Sequence, residues 1–126
     1  MEITSLKLVN FRNFDSLELN FSNNKNIIIG DNGVGKTNIV EAIFVLALTK
    51  SFRTNDDMLL VKNDKDYFKI EGVVKSTFVN NYKIVYQDAI KTVKINNNKI
   101  NKFSDYISNI NVILFSINDL KLIKDT

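Results

Sequence analysis

Asn26-Ile27-Ile28-Ile29-Gly30-Asp31-Asn32-Gly33-Val34-Gly35-Lys36-Thr37, NIIIGDNGVGKT, decides the fold of this 126-residue chain. Ile27-Ile28-Ile29 is a continuous β-branched run, the pattern of a central strand covered on both faces. From Lys36 to Thr49 the apolar residues Ile39, Val40, Ile43, Phe44, Leu46 and Ala47 recur with helical spacing, and Ala42, Val45 and Leu48 widen the stripe. Between strand and helix stand Gly30, four free positions, then Gly35, Lys36 and Thr37, the spacing of a phosphate-binding loop. Strand, glycine loop and buried helix open a nucleotide-binding α/β unit.

Each residue type in the loop has a chemical reason. Backbone N–H groups must converge on a phosphate, in conformations and at distances that a Cβ obstructs. The positive end of the following helix faces the anion. Lys36 supplies a point charge for the β- and γ-phosphates, and the Thr37 hydroxyl a ligand for Mg²⁺. The bland alternative is a glycine turn. Against it, three of the four glycines in the chain, Gly30, Gly33 and Gly35, fall inside these eight residues. The candidate phosphate-contacting set is therefore Gly30, Asp31, Asn32, Gly33, Val34, Gly35, Lys36 and Thr37, with Thr37 also the candidate metal ligand.

Composition removes other chemistries. The chain has no Cys and no His, which excludes disulfides, thiolate metal sites, imidazole bases and nearly all zinc sites. Charged residues at 25% and hydrophobic ones at 44% are ordinary globular values. No apolar run reaches membrane-spanning length and the N-terminus lacks a signal-peptide layout, so a cytoplasmic protein without a membrane partner is expected. The chain is rich in Asn (19) and Lys (15). A compositional bias of the source genome explains this richness, and the pI of 9.1 is then weak evidence for nucleic acid. Asn tolerates left-handed backbone, so Asn23-Asn24 and Asn80-Asn81 are expected to form turns usually given to Gly and Pro.

Outward from the loop, Ile3, Leu6, Leu8 and Phe11 alternate with polar residues, as do Leu17, Leu19 and Phe21. These predict two half-buried strands joined in a hairpin by Arg12-Asn13-Phe14-Asp15. Residues 67–75, 82–87 and 92–95 predict three antiparallel strands, and 103–107 a short helix capped by Ser104 or the residue before it. Residues 111–115 predict a buried strand, and 119–123 the start of a helix.

LKLVNFRNFDSLELNF, then NIIIGDNGVGKTNIVEAIFVLAL, then KSFRT strongly resemble the N-terminus of the RecF family of bacterial DNA replication and repair proteins. Its relatives are the ABC-type ATPase heads of the chromosome-maintenance SMC proteins and of the double-strand-break-repair ATPases of the Rad family. Those heads share an opening hairpin with an NF(R/K)-like turn and a G-x-N-G-x-G-K-[ST] loop, here with Asn32 and Gly33 in place. KSFRT at Lys50 to Thr54 points to RecF among them. The resemblance is convincing over 1–62 and recurs weakly at 112–123, where the family's Pro and acidic residue are Ile117 and Asn118.

The resemblance implies an α/β fold of the P-loop NTPase class, the N-terminal half of an ABC-type ATPase head. That half is a mixed β-sheet around the P-loop helix plus a small antiparallel β region. The whole of 1–126 would be one partial domain, divided into 1–62 (P-loop portion), 63–110 (β-rich region) and 111–126 (returning strand and helix start). It implies ATP and Mg²⁺ as cofactors, with DNA, double-stranded or at a single/double-strand junction, as partner. It further implies an ATP-dependent homodimer, RecR with RecO and RecA in the pathway, and a role in replication, recombinational repair and the SOS response. Another ABC-type head, of the SMC, Rad or overcoming-lysogenization kind, or a non-catalytic nucleotide-gated interaction module, are the alternatives. The sequence shows no Walker B Asp-Glu and no signature motif, so an N-terminal fragment is expected that binds ATP without hydrolysing it efficiently.

Several residues outside the loop have two readings. Arg12 and Arg53 are the only arginines beside 15 lysines. In related heads the turn equivalent to Arg12-Asn13 lies beside the nucleotide, which makes Arg12 and Asn13 candidate nucleotide contacts. Arg53 reads as a contact to nucleotide, partner or DNA, or as an ion pair with Asp56 or Asp57. Glu41 lies on an apolar helix face, where a carboxylate needs a partner, and a structural salt bridge is favoured over catalysis. Residues 69–102 carry seven lysines against Glu71 and Asp88, read as a DNA-phosphate face or as a solvated one. Tyr67, Phe68, Tyr82 and Tyr86 alternate with them and read as core.

Overall fold

A computed structural model describes residues 2–21, 26–29, 34–110 and 120–123. β1 (Glu2–Phe11) and β2 (Phe14–Asn20) form the expected hairpin, closed by Arg12-Asn13 alone because Phe11 pairs with Phe14. β4 (Tyr67–Lys75), β5 (Val79–Gln87), β6 (Ile90–Ile95) and β7 (Asn98–Ile100) continue it into one antiparallel sheet in the order β2-β1-β4-β5-β6-β7. Pairing of β1 with β4 carries this sheet across the division expected between 1–62 and 63–110.

The tight turns follow backbone chemistry. Asp88-Ala89 and Asn96-Asn97 both have positive φ at two successive residues, the conformation that suits two-residue hairpins. Asn96-Asn97 is thus the turn-forming Asn pair. Asn80 and Asn81 lie instead inside β5, where Asn96 Oδ1 accepts the Asn81 backbone N–H at 2.8 Å. Asn23-Asn24 lies outside the described residues.

α1 (Val34–Leu48) packs on the inner face of the sheet. Leu6, Leu8, Phe68, Ile70 and Ile84 alternate inward along their strands and are buried together with Ala42, Ile43, Val45, Leu46 and Ala47 of the helix. The helix comes close enough that a Cβ on Gly72 of β4 would lie 2.6 Å from Leu46 Cδ2. Phe68 meets Phe11 edge-on with ring centroids 5.6 Å apart, and stacks on Tyr86 at 5.6 Å. Phe68, Tyr82 and Tyr86 are core residues, as alternation predicts; Tyr67 is half-buried.

α2 (Phe103–Ile110) runs longer than expected, with Ser104 inside its first turn. It anchors the far end of α1, whose last carbonyls have no partners within the helix. Tyr106, fully buried, donates its hydroxyl to Leu46 O at 2.6 Å. Lys91 of β6 reaches Thr49 O at 2.6 Å and pairs with Asp57 at 3.0 Å, placing a cation at the negative end of the helix. These contacts fix α1 against the sheet, and with it the direction in which its N-terminus points.

The remaining strands form a separate parallel pair. β3 (Asn26–Ile29) pairs with β8 (Leu120–Ile123), Asn26 beside Leu120 and Ile29 beside Ile123. The helix expected to start at 119–123 is thus corrected to a strand. Leu120-Lys121-Leu122-Ile123 is too short to display a 3.6-residue period, and pairing with β3 decides its conformation. The strand expected at 111–115 lies outside the described residues.

Candidate functional site

β3 ends at Ile29 and α1 begins at Val34, so GDNGVGKT occupies the passage from strand to helix as the motif requires. Gly30, Asp31, Asn32 and Gly33 lie outside the described residues. Val34, Gly35, Lys36 and Thr37 form the first turn of α1, where backbone N–H groups lack helical acceptors and the helix dipole is positive.

Gly35 tests the phosphate reading. A Cβ built there would meet nothing within 4 Å. Packing against the described residues therefore does not demand glycine, and glycine inside a helix costs up to about 1 kcal/mol relative to alanine. A glycine at such a position leaves the backbone open to close approach by a ligand. Thr37 is half-buried in this turn and offers a hydroxyl oxygen. A hard cation such as Mg²⁺ takes oxygen ligands of this kind. No cluster of three or more His, Cys, Asp or Glu that could hold a metal occurs among the described residues.

Beside this turn the structure gathers residues from three separate places in the sequence. Glu41, one turn further along α1, is fully buried and accepts from both arginines. Arg12 binds it bidentately, Nε to Oε1 at 2.8 Å and Nη2 to Oε2 at 2.9 Å. Arg53 adds Nη2 to Oε1 at 2.5 Å and Nε to Oε2 at 3.1 Å, and the Ser51 hydroxyl donates to Oε2 at 2.6 Å. Burial pushes the Glu41 carboxyl up, but the hydrogen bonds from Arg12, Arg53 and Ser51 outweigh it and hold its pKa at about 2. One carboxylate thus fixes two permanent cations, and the cluster keeps a net positive charge.

Asn38, buried and next to Thr37, links the same pieces. Its Nδ2 donates to Asn13 Oδ1 at 2.8 Å and its Oδ1 accepts from Arg53 Nη2 at 2.5 Å. Arg12, Asn13, Asn38 and Arg53 line an open cleft of about 430 Å³ together with Leu59, Val61, Lys62 and Asn63. Arg12 has a φ of 53°, a left-handed conformation unusual for a residue with a side chain. It persists because Glu41 holds the guanidinium and Leu60 O accepts the Arg12 backbone N–H at 2.7 Å.

Sequence reasoning placed Arg12 and Asn13 near the loop, and both flank Asn38. It anticipated a salt bridge for Glu41. The partner expected for Arg53 is corrected: Arg53 pairs with Glu41, while Asp57 pairs with Lys91 and Asp56 accepts from the Met58 backbone N–H. Asn38 and Ser51 were missed. Adjacency to Thr37 was the only signal for Asn38, and nothing local marks Ser51.

The family model described as RecF/RecN/SMC N terminal domain matches residues 2–121. The chain belongs to this family. Among curated relatives, the DNA replication and repair protein RecF of Bacillus subtilis (strain 168) is 44% identical over 125 residues, covering 98% of this chain and 34% of the relative. RecF of Clostridium botulinum (strain Loch Maree / Type A3) is 40% identical over 132 residues, 100% of this chain and 35% of the relative. The chain therefore spans about a third of the length of these RecF relatives. Among solved structures, the recombination mediator protein RecF-ATPrS of the RecFOR pathway superposes with TM-score 0.77 at 32% identity, covering 82% of this chain and 29% of that one. An SMC head bound to the C-winged helix domain of ScpA superposes with TM-score 0.74 at 20% identity, covering 93% and 41%. The fold is that of the ABC-type ATPase heads of the RecF and SMC proteins, within the P-loop NTPase class. Among the described residues no helix is long and apolar enough to cross a membrane.

Proposed function

We propose that this chain is the ATP-binding part of a RecF-like protein that acts on DNA in replication and recombinational repair. The observation that carries the reading is Gly35-Lys36-Thr37 in the first turn of α1, the helix that follows β3, with open space beside Gly35 among the described residues. Backbone N–H groups of Gly30 to Thr37 cradle the phosphates, Lys36 neutralises the β- and γ-phosphates, and Thr37 ligates Mg²⁺. Arg12 and Asn13 sit at the edge of the nucleotide, and the excess positive charge of the Arg12–Glu41–Arg53 cluster faces it. Similarity to a RecF–ATP structure supports ATP as the nucleotide.

The wider reading follows the RecF relatives: a cytoplasmic protein that dimerises with ATP on DNA and works with RecR, RecO and RecA at gaps, within the SOS response. Isothermal titration of ATP·Mg²⁺ into the chain tests its core. Saturable binding that Lys36→Ala abolishes is expected. A wild-type chain that unfolds cooperatively yet takes up no nucleotide would refute it.

A further inference from the structure

Strand register brings charged residues into a single row across the outer face of the six-stranded sheet. Reading from β2 to β7, the row runs Glu18, Lys7, Glu71, Lys83, Lys94, Lys99, each directly opposite the next. Its two halves differ. At the β2–β4 end signs alternate, so each charge faces its opposite. At the β5–β7 end three lysines stand side by side, an arrangement that destabilises a sheet. Glu71 stands opposite Lys83 and its Oε2 also accepts from Asn81 Nδ2 at 3.0 Å, while Lys94 and Lys99 face only lysine within the row. Among the described residues Lys83, Lys94 and Lys99 make no ion pair or side-chain hydrogen bond, whereas Lys62 and Lys91 are each paired with an aspartate. A mere surplus of lysine in the composition does not account for one row being balanced at one end and uncompensated at the other.

We infer that the Lys83–Lys94–Lys99 row is a contact surface for the phosphate backbone of duplex DNA. Neighbouring strands lie about 4.8 Å apart, so the row places three ammonium groups along about 10 Å. Flexible lysine stems can follow phosphates on a duplex, and counterions released from the DNA favour the contact. The surroundings select backbone over bases. Thr92 and Val85 adjoin the row on one side and Asn81 and Asn96 on the other, the two asparagines hydrogen-bonded within the sheet. None of the row's residues is aromatic, and the rings of Tyr82 and Tyr86 on the same strand are buried on the opposite face, so the row has no platform for stacking unpaired bases. Contacts to phosphate position a protein without reading sequence, so binding here is independent of base order. The inference rests on the reading of this chain as part of a DNA-acting protein and deepens it by naming the surface.

The test compares the wild-type chain with Lys83→Gln/Lys94→Gln/Lys99→Gln, Lys83→Arg/Lys94→Arg/Lys99→Arg and a Lys65→Gln control. A random-sequence 20-base-pair duplex is titrated at several salt concentrations, and ATP·Mg²⁺ binding and thermal unfolding are followed in parallel. The Gln variant is expected to flatten the slope of log affinity against log salt by about 2.7, from about 0.9 per contact. Its Tm should be equal or higher, since like charges are relieved. The Arg variant and Lys65→Gln should keep the wild-type slope. Equal slopes for wild type and the Gln variant would overturn the inference, as would tighter binding of oligothymidylate or polyglutamate than of the duplex. A wild-type chain that binds nucleotide but no duplex also overturns it, and leaves the nucleotide reading standing. Lysine-dependent duplex binding without nucleotide binding supports it and fails the nucleotide reading instead.

Discussion

The hydroxyl of Tyr106 in α2 donates to the carbonyl of Leu46 in α1 at 2.6 Å, in a setting with no solvent access. Burial pushes this phenol above its ordinary range, so it stays a neutral donor at any physiological pH. The carbonyl lies in the last turn of the helix whose first turn carries Gly35, Lys36 and Thr37. A contact at one end of α1 thus helps to hold the end that carries Gly35, Lys36 and Thr37 in place.

Tyr106→Phe removes only the hydroxyl and leaves the Leu46 carbonyl buried without a partner. The expected loss is about 1–3 kcal/mol. Urea unfolding should show a lower midpoint with an unchanged m-value.

Glu41→Gln leaves two guanidiniums facing a neutral amide. Breaking a buried pair from one side costs about 3–5 kcal/mol, so the variant should be among the least stable that still fold. Chemical denaturation measures this directly. A cost below about 1 kcal/mol would contradict the clamp described for Arg12 and Arg53.

The same carboxylate predicts a pH effect. Its ordinary pKa of 4.5 falls to about 2 in the folded chain, so the unfolded state binds the proton first as pH drops. Stabilisation by Glu41 is therefore complete above about pH 5 and is lost as pH falls through 4.5 toward 2. It amounts to roughly 3 kcal/mol. Subtracting the acid-unfolding profile of Glu41→Gln from that of wild type isolates this component from other carboxylates.

Gly35→Ala should separate stability from binding. Its Cβ enters open space, so the helix gains a few tenths to about 1 kcal/mol from the better helix former. In the proposed site the same methyl would obstruct a phosphate, and ATP·Mg²⁺ affinity should fall at least tenfold. A raised Tm with undiminished nucleotide binding would contradict the phosphate assignment.

Phe68→Ala deletes a ring that touches both Phe11 and Tyr86 at the centre of the sheet. A loss of about 3–5 kcal/mol is expected, measurable by differential scanning calorimetry.

Much of this fold is local and could be read as such. The β1–β2 hairpin, the helix from the loop onward and the meander of β4, β5 and β6 each express a period within their own residues. The misreadings share a different origin. Leu120–Ile123 takes its conformation from Asn26–Ile29, more than 90 residues away, and Asn98–Ile100 becomes a strand only because β6 offers an edge. Asn80 and Asn81 look like a turn in isolation, but both pair with β4, and Asn81 O accepts the Asn96 backbone N–H on the other side. The site divides similarly. The position of Gly35, Lys36 and Thr37 at the start of a helix was legible because the strand, loop and helix are contiguous in sequence. The Arg12–Glu41–Arg53–Asn38 cluster was not, because three chain segments must fold before its partners meet.

The parallel pairing of β3 with β8 bears on the order of events when the chain folds. The six-stranded sheet is rich in hairpins whose partners are close in sequence, which form early. The strand that leads into the phosphate loop instead waits for a neighbour that arrives some 94 residues later, at the cost of closing a long loop. The hairpins can therefore assemble before either long-range pairing, β1 with β4 or β3 with β8, closes. A ligand held at the end of β3 would slow the separation of β3 from β8 rather than speed their meeting.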